Sequence, residues 1–272
     1  MKVKKVIKHI VLWLKEYIKK YKLNGFVIGI SGGIDSSVSS CLTAMTNYPT
    51  LVLDIIFSKK INLLSEKHAK FLLSKFRNVF FIKKNIKTVL DTFCDCVYVS
   101  SNKNNIKNYN KKKFLALANI KSRLIMLTLY YYANINNYLV VGTGNKIEDF
   151  GVGFFTKYGD GGVDLLPIAD LNKSEIGLLA KELNIINDIQ NAKPTDGLWD
   201  DRRSDEDQLG ATYEELEWAM KYSNENYYDN SNLSKLSKNK LNILKIYKKL
   251  NNKNYHKFVQ IPVCKIPHNI LK

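Results

Sequence analysis

Residues 29–37 read Gly-Ile-Ser-Gly-Gly-Ile-Asp-Ser-Ser, and they lie between a predicted strand and a predicted helix. The preceding residues 26–28 are apolar and either aromatic or β-branched, which is typical of a buried strand. Residues 38–45 favour a helix with one apolar side. A turn at this place presents unpaired backbone N–H groups and the positive end of a helix dipole. The segment therefore predicts a loop that binds an anion such as a phosphate group.

The residues of this loop favour pyrophosphate together with a divalent cation. Gly32 and Gly33 allow the backbone to approach phosphate oxygens closely, and the serines add hydroxyl donors. The loop lacks the lysine and the spacing of a Walker A motif. Instead it carries a carboxylate, Asp35, which would repel phosphate unless a divalent cation lay between them.

The order Ser-Gly-Gly-x-Asp-Ser-Ser after a strand resembles the signature of the ATP pyrophosphatases, within the adenine nucleotide alpha hydrolase-like superfamily. Members of that family cleave ATP between its α and β phosphates. The alternative interpretation is a glycine- and serine-rich turn that only caps a helix. The resemblance implies that ATP contacts Gly29, Ile30, Ser31, Gly32, Gly33, Ile34, Asp35 and Ser36.

Further blocks of sequence follow in one consistent order. They lie at residues 142–149, 155–164, 167–173, 193–199 and 205–210. Together they resemble the ammonia-dependent, single-domain NAD synthetases, and the similarity extends over roughly residues 5–262. The most specific block is Phe-Thr-Lys-Tyr-Gly-Asp-Gly-Gly-Val-Asp at 155–164.

This resemblance implies a ligase that amidates deamido-NAD (nicotinic acid adenine dinucleotide) to NAD, the last step of NAD biosynthesis. ATP is the implied co-substrate, Mg²⁺ the cofactor and ammonia the nitrogen donor. The nicotinate carboxylate would attack the α-phosphorus of ATP, and ammonia would then attack the acyl-adenylate, with release of AMP and pyrophosphate. A homodimer with deamido-NAD bound near the subunit boundary is implied as well.

The resemblance also implies roles for individual residues. Asp35 and Glu148 each follow a predicted strand and match the family's metal ligands, and carboxylate oxygens suit Mg²⁺. These two residues and Lys173 are the expected catalytic residues, because Lys173 could neutralise charge that develops on the phosphates. The positions that match ATP contacts outside the loop are Thr143, Lys173 and Thr195. The expected contacts of deamido-NAD are Arg123, Lys157, Asp164, His256 and Lys257.

Two positions depart from the family pattern. Family members often carry an arginine where Ile125 stands, and a serine is usual where Ile147 stands. Without the resemblance, Glu148 would be interpreted as a solvated loop acid and Lys173 as a surface lysine. The pair of His256 and Lys257 has the alternative interpretation of two exposed residues in a lysine-rich tail.

The formal net charge of this 272-residue chain is +17, from 42 Lys and Arg against 25 Asp and Glu. Such a charge can indicate a nucleic-acid-binding protein. Only four of the basic residues are arginines, however, and the lysines are scattered among many Asn and Ile, as biased base composition would produce. We therefore expect no nucleic-acid partner. Two alternatives stay open, a tRNA-modifying relative with the same fold and a non-catalytic nucleic-acid binder.

The cysteines fit neither a zinc site nor a disulfide framework; they are Cys41, Cys94, Cys96 and Cys264. Free thiols are typical of a reducing compartment, which predicts a cytoplasmic protein. None of the cysteines lies in a nucleophile motif. We therefore expect no glutaminase domain, and free ammonia is the expected nitrogen source.

The apolar residues near the N-terminus follow a helical spacing. They are Val3, Ile7, Ile10, Val11, Leu14 and Ile18. A basic amphipathic helix of this kind could lie on a membrane surface, but packing against the body of the protein explains the same stripe and is favoured. Because no apolar run is long enough to cross a bilayer, we expect no membrane partner.

Strands are predicted at residues 26–30, 51–57, 79–83 and 138–142. Helices are predicted near residues 3–22, 36–46, 62–76, 86–95, 113–134, 173–184, 212–222 and 233–250, with a mobile loop at 100–113. This alternation predicts an α/β, Rossmann-like, doubly wound parallel sheet with helices on both faces. We expect a single domain over residues 1–272 with a helical C-terminal part. Ligands bind at the carboxyl ends of such strands, so the loops at 31–37 and 143–149 are expected to share one site.

Overall fold

The structure is a computed structural model that describes residues 1–58, 62–97, 106–195, 204–225 and 236–271. Several sequence-based predictions therefore lie outside the described residues. These are the loop at 100–105, the end of the block at 193–199 and the start of the helix expected at 233. Arg202 and Arg203 lie outside them as well.

The centre of the fold is a parallel sheet of four strands in the order β3-β2-β1-β4. Its strands are β1 (Gly25–Gly29), β2 (Thr50–Ile56), β3 (Val79–Asn85) and β4 (Tyr138–Val141). Val27 of β1 lies opposite Leu51 on one side and Val140 on the other. The chain moves outward in one direction from β1 to β3 and then returns to the other side of β1. A switch point therefore lies between β1 and β4, where ligands bind in sheets of this type.

The helices are α1 (Val3–Tyr21), α2 (Ile34–Ala44), α3 (Leu63–Lys75), α4 (Lys87–Val97), α5 (Ile106–Asn136), α6 (Lys173–Glu182), α7 (Asn187–Gln190), α8 (Asp205–Leu209), α9 (Tyr213–Glu225) and α10 (Lys238–Asn254). A π-helix spans Ile147–Val152, and short 3₁₀-helices span Tyr255–Lys257 and His268–Ile270. The predicted α/β class is confirmed.

The predicted loop at 100–113 is wrong from Ile106 onward, because α5 begins there. The sequence signal was a run of lysine and asparagine. Lysine is a good helix former, and residues 112–116 are exposed, so the polar run marks solvent contact and not a break in the helix. The short helices α7 and α8 and the π-helix were also missed, because each is shorter than the window in which a helical period can be recognised.

Helices cover both faces of the sheet, and the alternation along β1 explains how. Phe26 and Ile28 point into a core that contains residues of α1, α2, α3 and α6. Val27 points to the opposite face, where it packs with Leu129 and Ala133 of α5. The stripe on α1 belongs to the first core, since Ile7, Ile10, Val11, Leu14 and Ile18 are buried there. Packing within the protein is therefore the correct interpretation of that stripe.

A third core lies beyond the sheet and joins the π-helix to α9 and α10. Its buried members include Ile147, Val152, Tyr213, Leu216, Ile243 and Tyr247. This core fixes the position of the segment that follows β4. Among the described residues, no helix combines the length and the apolar character that crossing a membrane requires.

A buried polar cluster lies where α3 packs against α2 and β2. His68 of α3 is fully buried, and its Nε2 forms a hydrogen bond of 2.8 Å with Ser40 Oγ of α2. Nearby, Ser65 Oγ donates to Asp54 Oδ2 at 2.9 Å. Burial disfavours the charged imidazolium and lowers the pKa of His68 from 6.5 to about 4. His68 is therefore neutral in the folded protein over most of the range in which free histidine titrates.

The unfolding free energy should fall on acidification from pH 6.5 to pH 4, since the unfolded chain binds a proton that folded His68 does not. The full shift corresponds to a loss on the order of 3 kcal/mol. Urea denaturation at several pH values across this window would measure it. The variant His68→Gln should lose much of this pH dependence, whereas His9→Gln, at an exposed site on α1, should keep it. If the unfolding free energy of His68→Gln depended on pH as strongly as that of the wild type, the lowered pKa would not belong to His68.

Candidate active site

The loop predicted to bind phosphate connects β1 to α2 at the carboxyl edge of the sheet. The hydroxyls of Ser36 and Ser37 donate to the Gly33 carbonyl at 3.0 and 2.9 Å, and Ser31 N donates to Ser36 Oγ at 3.3 Å. The serines therefore hold the loop in shape. Within the described residues, no side chain caps the N-terminus of α2 at Gly33. Its first N–H groups point toward a space that suits an anion.

Asn62 fastens the start of α3 to this loop. Its Nδ2 donates to the Ser31 carbonyl at 2.6 Å, and its Oδ1 accepts from Leu64 N at 3.2 Å. The loop and α3 approach so closely that only glycine fits at position 32. Gly32 has a φ of +80°, and a Cβ there would lie 2.9 Å from Leu64 Cβ. Sequence reasoning gave Asn62 no role.

The three residues expected to be catalytic meet in one charged centre. Lys173 Nζ lies 2.5 Å from Asp35 Oδ2 and 3.2 Å from Glu148 Oε1. Each residue comes from a different element, α2 for Asp35, the π-helix for Glu148 and the first turn of α6 for Lys173. The three side chains are 14 to 15% exposed. The structure thus brings together residues that are far apart in sequence.

Asn145 contacts the carboxylate of Asp35 and the backbone of Glu148. Its Nδ2 donates to Asp35 Oδ2 at 3.3 Å, and its Oδ1 accepts from Glu148 N at 3.0 Å. Asp35 Oδ1 is buried and has no hydrogen-bond partner among the described residues. Burial alone would lower the pKa of Lys173, but Asp35 and Glu148 more than compensate and raise it above its usual value. Lys173 therefore stays charged, and one carboxylate oxygen remains available.

Tyr213, at the start of α9, is a further member of the centre that sequence reasoning missed. Its hydroxyl donates to Glu148 Oε1 at 2.5 Å, and the centre of its ring lies 4.7 Å from Lys173 Nζ. A tyrosine among the apolar residues of an amphipathic helix gives no signal beyond that of a core residue. Asn145 gave a weak signal, because it is a polar residue inside a block that follows a buried strand.

The basic residues expected to contact the dinucleotide form a second group around residues 153–157. Arg123 Nη2 donates to the Lys157 carbonyl at 3.3 Å, and Lys157 Nζ donates to the His256 carbonyl at 2.9 Å. Lys257 Nζ is half-buried and donates to the carbonyls of Gly153 and Phe155 at 2.7 and 2.8 Å. The structure therefore brings Arg123, Lys157, His256 and Lys257 together.

Asp164 has a different environment from these basic residues. Its Oδ2 accepts from Val140 N at 2.7 Å, and its Oδ1 accepts from Tyr130 OH at 3.0 Å. Asp164 thus supplies the partner of a backbone N–H in β4. Thr143 follows β4 at the same sheet edge as Gly29, and Thr195 is the last described residue before 204.

Two further sets of contacts hold the segment that carries these residues. Ser122 Oγ of α5 donates to Asp160 Oδ1 at 2.7 Å, which fixes the turn after Lys157. On the other side, Asn251 and Asn254 of α10 donate to the carbonyls of Gly151 and Val152 at 2.7 and 2.8 Å. The final carbonyl groups of the π-helix are therefore satisfied by side chains of α10.

The fold and this centre define an α/β protein with a parallel sheet and a buried charged centre beside the switch point of that sheet. A family model described as NAD synthase matches residues 6–260. The NH(3)-dependent NAD(+) synthetase of Finegoldia magna is 39% identical over 221 residues, which cover 81% of this chain and 86% of that protein. The chain belongs to the NAD synthase family. The resemblance found in the sequence motifs is thereby confirmed.

Two solved structures share the fold over nearly the whole chain. The NMN synthetase of Francisella tularensis matches with a TM-score of 0.80 and 27% identity, over 98% of this chain and 100% of that one. The NH3-dependent NAD synthetase of Campylobacter jejuni matches with a TM-score of 0.75 and 23% identity, over 97% of this chain and 100% of that one. The identity to the second structure supports a statement about the fold alone.

The variant Lys173→Met should be less stable than the wild type by about 3 kcal/mol, because it leaves two poorly solvated carboxylates without their cation. Chemical denaturation in the absence of divalent cations would measure this loss. The double variant with Asp35→Asn should recover part of it, since one of the unpaired charges is then gone. A double variant no more stable than Lys173→Met would contradict the ion-pair account.

Proposed function

We propose that this protein amidates deamido-NAD to NAD with ATP and ammonia, and that it releases AMP and pyrophosphate. Membership of the NAD synthase family supports the overall reaction, as do the relatives named NH(3)-dependent NAD(+) synthetase. The observation that carries the proposal is the contact of Lys173 with both Asp35 and Glu148 beside the loop at 29–37. An enzyme that cleaves ATP needs a fixed positive charge where negative charge develops on the phosphates, and Lys173 can provide it.

In this proposal Asp35 and Glu148 hold Mg²⁺. The donor set fits the ion, because both groups are carboxylates and Asp35 Oδ1 is buried without a hydrogen-bond partner in the described part of the chain. Two protein ligands suffice, since Mg²⁺ usually keeps several waters and bound phosphate oxygens. Bound there, Mg²⁺ would supply Lewis-acid stabilisation of the phosphate oxygens.

The remaining work of the first step falls to the protein itself. The N–H groups at the start of α2 and the backbone of residues 29–36 bind the phosphates, with Thr143 and Thr195 as further ATP contacts. Lys173 stabilises the negative charge that grows as the nicotinate carboxylate attacks the α-phosphorus and pyrophosphate leaves. Holding the carboxylate and the α-phosphorus in line lowers the barrier by orientation. Ammonia then attacks the acyl-adenylate carbonyl carbon, and AMP leaves.

The dinucleotide is proposed to contact Arg123, Lys157, Asp164, His256 and Lys257. The proximity of the Arg123, Lys157 and Lys257 side chains supports this proposal, because deamido-NAD carries a pyrophosphate and a carboxylate. His256 joins this group through its backbone carbonyl. Arg123 offers a planar fork that suits such groups. Asp164 already accepts two hydrogen bonds from the protein, so a ribose hydroxyl would have to share its remaining lone pairs.

Amidation of the mononucleotide is the second candidate function. The observation that favours it is the similarity to the NMN synthetase of Francisella tularensis, with a TM-score of 0.80 at 27% identity. The curated relatives at 35 to 39% identity are named NAD(+) synthetases, which favours the dinucleotide. The two reactions share the adenylation chemistry and differ only in the acceptor.

The purified protein should form NAD from deamido-NAD, MgATP and ammonium, with one AMP released for each NAD. Chromatography of the reaction mixture would quantify these products. Faster amidation of deamido-NMN than of deamido-NAD would favour the second candidate. Glutamine alone, in a preparation free of ammonia and glutaminase, should give no product above background. AMP release that depends on tRNA and not on deamido-NAD would overturn the proposal.

The variant Asp35→Asn should lower turnover by about a hundredfold or more at ordinary Mg²⁺, because it removes a proposed metal-ligand charge. Measuring NAD formation over a Mg²⁺ titration would test this, with circular dichroism to confirm folding. Asp188→Asn removes a carboxylate from an exposed ion pair and should leave turnover unchanged. Near-normal activity in Asp35→Asn would refute the metal assignment.

We also propose that the protein is a homodimer that covers the outer face of α4 and α5. Large apolar side chains are exposed there, at Val89, Phe93 and Val97 on α4 and at Leu127, Tyr131 and Ile135 on α5. The last three recur at intervals of one helical turn and form a continuous stripe. Such a patch is typical of a protein–protein interface.

Sedimentation of the wild type should therefore give twice the chain mass of 31.3 kDa. The double variant Leu127→Lys with Tyr131→Lys should give monomers, because it places charges at the centre of the stripe. Leu12→Lys, at an exposed apolar site on α1, should stay dimeric. A fully active wild-type monomer would contradict the proposal.

Two broader statements complete the proposed function. Cys41, Cys94, Cys96 and Cys264 are free thiols in the structure, which supports a reducing compartment, and we place the protein in the cytoplasm. We also propose that residues 1–272 form one synthetase domain.

A further inference from the structure

Tyr213 contacts two residues of the charged centre at once. It is 5% exposed at the start of α9, packed in the core that joins the π-helix, α9 and α10. Its hydroxyl donates to Glu148 Oε1 at 2.5 Å, and its ring faces Lys173 Nζ at 4.7 Å from the ring centre. The ring and the hydroxyl therefore act on different partners.

The Tyr213 hydroxyl and Lys173 both donate hydrogen bonds to the same oxygen of Glu148. In the described part of the chain, the hydrogen bonds of the Glu148 carboxylate come from Lys173 and Tyr213, and both go to Oε1. Two donors on one oxygen restrict the rotation of the carboxylate, and Oε2 forms no hydrogen bond within the described residues, which leaves it free to bind a ligand. Hydrogen bonds to a charged carboxylate are among the strong ones, so this orientation is well defined.

The ring restricts the ammonium of Lys173. A cation over the face of an aromatic ring is attracted to it, most strongly where water is excluded. Lys173 Nζ is thus held from one side by the ring and from the other by Asp35 and Glu148. A flexible lysine side chain is thereby limited to one position beside the loop at 29–37.

Tyr213 also connects this centre to α8. Its backbone N–H donates to Glu206 Oε1 at 3.0 Å, and its hydroxyl lies 3.5 Å from Asp205 Oδ2. Filling this space would need only an aromatic ring, and phenylalanine would do so without placing a polar atom in a buried site. The hydroxyl is therefore explained by its contact with Glu148.

We propose that Tyr213 is a positioning residue, which orients Glu148 through its hydroxyl and Lys173 through its ring so that the metal and the phosphates meet a preformed site. The proposal rests on the proposed function, in which Asp35 and Glu148 hold Mg²⁺. Outer partners of this kind typically change metal affinity by about 10–100-fold when they are removed.

The test compares Tyr213→Phe with Tyr247→Phe. Tyr247 of α10 is buried to the same extent in the same core, and its ring packs near Gly151, so this control removes a hydroxyl without touching the charged centre. The probe is Mn²⁺, whose binding in the presence of a non-hydrolysable ATP analogue is followed by electron paramagnetic resonance. Thermal unfolding of both variants confirms that they fold.

Tyr213→Phe should raise the dissociation constant of Mn²⁺ by about tenfold or more and lower kcat, with the KM for deamido-NAD unchanged. Tyr247→Phe should match the wild type in all three quantities. A purely structural role of Tyr213 would instead lower the unfolding temperature of Tyr213→Phe and leave its Mn²⁺ binding intact. Wild-type Mn²⁺ affinity in Tyr213→Phe would overturn the proposal.

Asp35→Asn separates the failure of this inference from the failure of the proposed function. In one outcome, the wild type and Tyr213→Phe both bind Mn²⁺ and Asp35→Asn does not. That outcome supports the metal site and refutes the role of Tyr213. If Asp35→Asn binds Mn²⁺ as well as the wild type does, the metal placement itself is wrong, and the proposal for Tyr213 fails with it.

Discussion

The pairing of one buried lysine with two carboxylates is the constraint on which the site depends. Asp35 and Glu148 could not both stay charged side by side at the edge of the sheet without a cation between them, because like charges repel strongly where water is scarce. Lys173 provides that cation at 2.5 and 3.2 Å. The start of α6 is consequently held against the switch point between β1 and β4. A buried ion pair contributes little net stability, because burying its charges costs free energy, but it can fix the relative positions of its members.

The sequence predicted the sheet well for a physical reason. Strands β1, β2 and β4 are short, largely buried apolar runs, and the edge strand β3 begins with an apolar run. Each of the four begins or ends within two residues of its prediction. The loop after β1 was equally recognisable, because a glycine at a φ of +80° and serines that bond the backbone leave a distinctive composition. The start of α5 was not recognisable, since a run of Lys and Asn is compatible with both a loop and an exposed helix.

Some residues of the charged centre could be predicted from the sequence, and others could not. Sheet topology predicted that Asp35 and Glu148 lie at one edge, because each follows a strand, whereas Lys173 was expected to join them only because its block resembles a family. Asn145 and Tyr213 were missed because their importance lies in contacts that depend on the third dimension. A tyrosine on an apolar helix face has the same pattern whether its hydroxyl meets water or a catalytic carboxylate. The spacing of apolar residues therefore cannot predict which partner the polar end of a buried side chain contacts.

The amides of Asn251 and Asn254 change how the unusual composition of this chain should be understood. Lysine and asparagine are abundant throughout, as biased base composition would produce. On α10, however, the two asparagines close the end of the π-helix that carries Glu148, and Lys257 continues the same service one turn later. Residue types that are common over the whole chain therefore form specific hydrogen bonds at this place. Composition alone does not distinguish these asparagines from the others on the surface, and replacing them would remove hydrogen bonds that hold the end of the π-helix on which Glu148 lies.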